Sequence, residues 1–160
     1  RERFVRRYEA LPPTVRRRLT LENDDRVYSL GAVRRIHDAC GIPLVFDNLH
    51  HRVHDPDGLP MREALALALG TWPAGVTAKV HFCSARTEVR GLGTASRLVL
   101  PRWTEHADLA NPFEFAEFLG AAEGLPAFDV MLEAKARDLA LLKLREDLAR
   151  FAPEIGKRFG

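Results

Sequence analysis

The chain is 160 residues long, 46% hydrophobic and 29% charged, with a formal net charge of +2. Such numbers describe one water-soluble globular domain with a single core, and these residues hold no membrane-length apolar run and no signal-peptide pattern. Two cysteines, Cys40 and Cys83, with no CxxC pair, argue against a disulfide framework and for a reducing, cytoplasmic setting.

The charge is uneven. Residues 1–18 hold seven arginines (Arg1, Arg3, Arg6, Arg7, Arg16, Arg17, Arg18) against Glu2 and Glu9, a local balance of +5 that leaves about −3 for the rest. A basic segment on a near-neutral body can serve as a phosphate-contacting surface; a solvated helix face is the blander account. The opening RERFVRRYEA has no methionine and reads as the interior of a helix, so a longer protein is expected.

Strand and helix alternate from there. RLTLEN (18–23) reads as a strand, followed by a helix over 29–39 that Gly41 and Pro43 close. LVFD (44–47) is an apolar strand that ends in Asp47, Asn48, His50, His51 and His54. A helix over 61–69 precedes the strand AKVHFCS (78–84). The next connection is long and contains NPFEFAEFLGAAEG, where Asn111 suits an N-cap and Pro112 the first helical position. The strand FDVMLE (128–133) leads to a last helix over 135–150, with Leu139, Leu142 and Leu148 expected on its apolar side.

Apolar strands alternating with helices predict a parallel sheet covered by helices. In such α/β folds functional groups gather at the carboxyl ends of the strands. Glu22, Asp47, His81 and Glu133 all fall at such ends, and four βα units are half of a TIM barrel. Carboxylates mixed with imidazoles suit Mn²⁺, Zn²⁺ or Fe²⁺ bound as a cluster able to supply hydroxide to a phosphodiester. Each residue also has a structural account: Glu22 as a helix cap, Asp47 as a loop cap, Glu133 paired with Lys135, the histidines as loop residues. Their joint placement favours a metal site. Lys79, two residues before His81 and on the same strand face, needs a partner such as Glu22 or Glu133, or chemical neutralisation beside the metals.

The stretches LTLENDD, GIPLVFDNLHHR, KVHFCSARTE, HADLANPFEFAEFL and FDVMLEAKARDLALLKLREDL closely resemble the carboxyl-terminal half of the UV damage endonuclease family (UvsE/UVDE type), over about residues 18–153. The resemblance implies a TIM barrel like those of endonuclease IV and the xylose isomerases, this chain covering roughly the last four βα units as one domain. It implies an enzyme that nicks double-stranded DNA 5′ to UV photoproducts with a divalent metal cluster, usually Mn²⁺, acting as a monomer when complete. Matched motif by motif, Glu22, Asp47, His50, His81, His106 and Glu133 correspond to metal ligands, and Glu22 and Glu133 to catalytic carboxylates. Lys79 corresponds to the family's carboxylated lysine beside the metals and counts with Glu22 and Glu133 among the expected catalytic residues. His51 and His54 are candidates either for supporting the ligands from behind or for facing DNA, and Arg86 for meeting a DNA phosphate, being equally readable as an exposed structural arginine. Two departures stand out. The family's amino-terminal half is absent, and residues 88–104 look longer than the pattern, which leaves His106 with the least sequence support. A sugar isomerase or epimerase on the same barrel is the alternative, and a non-catalytic binding module ranks third.

Overall fold

The computed structural model describes residues 1–92 and 97–158. Helix α1 (Glu2–Glu9) and a single turn, α2 (Pro13–Arg16), lead into strand β1 (Leu21–Glu22). Six of the seven leading arginines are exposed and Arg16 is half-buried. The strand expected over 18–23 shortens to two residues because Arg18 and Leu19 still close turns onto the Val15 and Arg16 carbonyls. Helix α3 (Leu30–Cys40) starts where Ser29 Oγ accepts the Ala32 N–H and stops at Gly41, whose φ of 72° is a left-handed geometry that glycine adopts without a Cβ clash.

Next come β2 (Leu44–Asp47), α4 (Asn48–Val53), α5 (Met61–Leu69) and β3 (Ala78–Phe82). A short hairpin, β4 (Arg90–Leu92) and β5 (Arg97–Val99), precedes α6 (Pro112–Ala121), β6 (Phe128–Leu132), α7 (Asp138–Phe151) and α8 (Pro153–Gly156). The main sheet has the order β1-β2-β3-β6, and the β4–β5 hairpin stands apart from it. Pairing of β1 with β2 and of β2 with β3 is parallel, with Glu22 opposite Val45 and Asp47 opposite His81. The four expected βα units are therefore present. The hairpin was not foreseen, since its glycine-broken sequence offers no long alternation; its tip, residues 93–96 within the long 88–104 segment, lies outside the described residues.

The chain forms two compact units, Arg1–His81 with Gly124–Met131, and Phe82–Glu123 with Leu132–Gly160. In the first, all four residues of β2 are buried, as a strand covered on both faces requires. Its backbone is held from the side as well: Leu44 N–H donates to Thr71 Oγ1 at 2.9 Å, and Trp72 Nε1 donates to the Leu44 carbonyl at 2.7 Å. Tyr8, Ile36 and Ile42 pack with Val5, Leu11 and Leu21 to seat α1. In the second unit Phe82 meets Phe115 edge-on at 4.9 Å and Phe118 at 5.4 Å. Full burial of such a ring contributes about 1.5–3 kcal/mol.

Asn111 caps α6 through the Phe113 and Glu114 N–H groups, with Pro112 at the first turn, as the sequence indicates. Helix α7 differs from expectation. It begins at Asp138, after a turn in which Arg137 takes φ 55°. Its buried stripe is Ala140, Leu144 and Leu148, while Leu139 and Leu142 are 64% and 61% exposed. Leu142 lies two residues from both Ala140 and Leu144, about 200° round the helix from either. Small Ala140, rather than a leucine, marks the face that packs.

Candidate metal centre

Strand β2 delivers the site. Asp47, its last residue, is fully buried, and its Oδ1 accepts the His50 N–H at 2.7 Å, so the same carboxylate caps α4. The histidines expected in a loop thus begin on a helix whose start Asp47 fixes. Asn23, 1% exposed, locks the neighbouring strand end to this one. Its Nδ2 donates to the Asp47 carbonyl at 3.1 Å, and the Asp47 N–H donates to its Oδ1 at 3.0 Å. A side-chain amide here continues the β1–β2 ladder one step past Glu22. An isolated asparagine before an acidic turn gave no sequence signal of this.

Glu22, the last residue of β1, faces two imidazoles. His81 Nδ1 lies 3.0 Å from Glu22 Oε1. His50 Nδ1 lies 2.9 Å from the Asn23 carbonyl, 3.4 Å from Glu22 Oε1 and 3.8 Å from Asp47 Oδ1. A carbonyl can only accept, so Nδ1 of His50 carries the hydrogen, by inference from its partner. Burial works against ionisation of Glu22, but hydrogen bonds from His50 and His81 outweigh it and hold its carboxyl at about 2. Conversely, the Glu22 carboxylate, with Asp47 and the Asn23 carbonyl behind it, raises His50 to about 9 against the opposing effect of burial. Glu22 is not the helix cap. Asp24 takes the N–H groups of Arg26, Val27 and Tyr28, and Ser29 caps α3.

One ligand atom from each of Glu22, Asp47 and His81 lies within 4.8 Å of the others. Two carboxylates and an imidazole at that spacing, one carboxylate wholly removed from water, form a donor set that fits a divalent cation with mixed oxygen and nitrogen preference. A cavity of about 850 Å³ opens beside them, with Arg16, Arg17, Arg18 and Lys79 in its wall alongside Glu22 and His81. Lys79 Nζ is paired with Asp129 on β6 at 2.5 Å and its side chain is 44% exposed. Its partner is therefore neither Glu22 nor Glu133.

In the second unit Glu133 follows β6, its N–H bonded to the Phe82 carbonyl at 2.9 Å. His106 Nδ1 lies 3.6 Å from Glu133 Oε2. The long connection therefore returns His106 to a strand-end carboxylate despite its distance in sequence. Arg86 is 3% exposed, with Nη1 donating to Glu105 Oε2 at 2.9 Å. It is therefore not an exposed structural arginine. His51 is also 3% exposed: its Nε2 donates to the Leu59 carbonyl at 2.9 Å and its ring lies against Phe46, so it anchors α4 internally. His54, half-buried at the end of α4, is the member of that trio left near the surface.

The sequence profile of the UV-endonuclease UvdE family matches residues 1–157. The chain belongs to the UvdE family. It is 33% identical over 145 residues to the UV DNA damage endonuclease of Bacillus mycoides (strain KBAB4), covering 89% of this chain and 42% of the relative. For the enzyme of Bacillus pumilus (strain SAFR-032) the identity is 32% over 150 residues, covering 92% and 43%. The crystal structure of SacUVDE superposes with a TM-score of 0.72 at 28% identity, over 93% of this chain and 45% of that one. The UvdE chain described here thus spans less than half the length of the relatives it matches, and its parallel βα order is part of a TIM-barrel-like fold. Among the described residues, no helix is long and apolar enough to cross a membrane.

Proposed function

We propose that this chain is the carboxyl-terminal half of a metal-dependent DNA repair endonuclease that nicks the backbone of double-stranded DNA 5′ to UV photoproducts. The observation that carries the reading is the convergence of Glu22, Asp47 and His81 at adjacent strand ends, in a chain of this family. Family membership supports the nuclease over a sugar isomerase.

In this reading Glu22, Asp47, His50, His81, His106 and Glu133 hold the metals, Mn²⁺ being the ion proposed. When bound, such ions would supply hydroxide at neutral pH and stabilise charge on the phosphodiester oxygens. Asp47 is held firmly because its carboxylate caps α4 and Asn23 bonds its backbone. The Asn23 carbonyl fixes the His50 ring through Nδ1. Lys79, carboxylated or paired, adjusts the charge beside Glu22, and the arginines of the cavity wall receive phosphates. His54 is the remaining DNA-facing histidine. The complete protein is proposed to act as a cytoplasmic monomer.

The test is nicking of UV-irradiated against unirradiated supercoiled plasmid by the complete polypeptide, with Mn²⁺ and then with EDTA. Nicking that needs both damage and metal is expected. Damage-independent or EDTA-resistant nicking, or none from a metal-loaded protein, overturns the reading.

A further inference from the structure

The chain leaves the end of β3 at Ser84 and does not return until Glu105. Where the two ends meet they form a short antiparallel neck. Ala85 pairs with His106, Arg86 N–H donates to the Glu105 carbonyl at 2.7 Å, and Ala107 N–H donates to the Ser84 carbonyl at 2.9 Å. Arg86 grips Glu105 a second time through its side chain, Nη1 to Oε2 at 2.9 Å, with Glu88 Oε2 3.9 Å from Nε. One residue thus holds the residue before His106 by both backbone and side chain. The guanidinium is buried, and its Nε and Nη2 have no hydrogen-bond partner among the described residues. A buried charge this sparsely satisfied is costly to keep, and a neutral core side chain would close the neck more cheaply if closure were all that was needed.

We propose that Arg86 is a positioning residue for His106: with Glu105 it clamps the neck of the 88–104 excursion and so fixes the imidazole against Glu133. The inference rests on the reading of His106 and Glu133 as ligands. It accounts for how an insertion between His81 and His106 can be accommodated. The β4–β5 hairpin follows the neck, with Arg90 tied to Asp108 at 3.1 Å, and on this proposal its length leaves the register at the neck unchanged.

The test uses the complete protein, stripped of metal and titrated with Mn²⁺, with kcat and KM on UV-irradiated DNA as a second readout. Arg86→Leu is expected to weaken Mn²⁺ binding about 10- to 100-fold, the range for residues that orient ligands, and to lower kcat more than it raises KM. Arg86→Lys, which keeps the charge and one bond to Glu105, should recover much of the loss. Replacing residues 89–102 by a short Gly-Ser turn should leave Mn²⁺ binding at the wild-type level. Should Arg86→Leu not fold, Glu105→Ala, which removes the acceptor, reads the same clamp from its other side. Wild-type Mn²⁺ affinity in a folded Arg86→Leu or Glu105→Ala protein overturns the proposal. So does a shortened excursion that loses as much affinity as Arg86→Leu. Glu22→Gln separates the two levels: if it too binds Mn²⁺ normally, the metal centre itself is wrong, whereas loss in Glu22→Gln with none in Arg86→Leu rejects the clamp alone.

Discussion

After β2 the chain turns at once into α4, and Asp47 and His50 arrive three residues apart on a capped helix start. After β3 the route from His81 to His106 takes 25 residues (81 to 106) and passes through a separate hairpin. Both routes end with an imidazole beside a strand-end carboxylate, within 3.4 Å of Glu22 in the first case and 3.6 Å of Glu133 in the second. The first is fixed by local chemistry, a cap and a side-chain amide. The second depends on a loop closed by an inter-segment clamp. Lengthening a loop raises its closure cost only slowly, by about 0.6 kcal/mol per doubling. A charge-assisted hydrogen bond of about 1.5–3 kcal/mol is enough to offset the extra chain. An imidazole can therefore be brought beside a strand-end carboxylate after a long excursion, provided the neck is pinned.

The largest expected effect breaks the local route at its carboxylate. Glu22→Gln in the complete protein should lower nicking of UV-irradiated plasmid by more than about 100-fold, since even residues that only orient ligands cost 10- to 100-fold. Its circular dichroism should be unchanged, and retention of full activity would remove Glu22 from the centre. Next is Asn23→Ala, which strips two hydrogen bonds from the buried Asp47 backbone. A loss of about 2–3 kcal/mol is expected, seen as a melting temperature lower by roughly 5–10 °C. A change within 1 °C would mean that the amide ladder does not support the strand end.

Asp47→Asn sharpens the same comparison. The amide oxygen can still accept the His50 N–H, so stability should fall by less than about 1 kcal/mol, while Mn²⁺ uptake in a dialysis assay drops sharply. Equal losses in both would show that the charge supports the fold rather than the metal.

The smallest effect is on pH dependence of the metal-free protein. Glu22 is lowered from 4.5 to about 2, so its contribution is complete above 4.5 and is lost as pH falls through about 2. His50 is raised from 6.5 to about 9, so its contribution is complete below 6.5 and is lost as pH rises through about 9. Both shifts report largely one interaction. With the Glu22 side chain 34% exposed, solvent screening leaves about 1 kcal/mol. The melting temperature should thus show a plateau between about 4.5 and 6.5 from this pair, and His50→Gln should flatten the alkaline arm. An alkaline arm identical in the variant would reject the pairing.

The contrast between the two routes also governs what could be read from the sequence. Apolar LVF ahead of Asp47, the Gly41 stop, Asn111-Pro112 and the ionisable residues closing each strand are local signals, so the βα order, the parallel sheet and the positions of Glu22, Asp47 and Glu133 were legible. Less legible were features decided by what lies across a gap in sequence. Apolar type alone placed Leu139 and Leu142 on the packed side of α7, whereas packing selected the small Ala140. Residue type likewise left Arg86 and His51 open to solvent, while the neck and the Phe46 ring enclose them.

By itself, then, the sequence determined the alternation of elements, the family and the cluster of donors at strand ends, because period, caps and terminating residues act over only a few positions. Tertiary structure decided which side chain grips which: Asn23 on Asp47, Asp129 on Lys79, Arg86 on Glu105. Those partners lie 24, 50 and 19 residues apart, and no local propensity links residues at such separations. Only the folded sheet and the closed neck bring them within hydrogen-bonding reach.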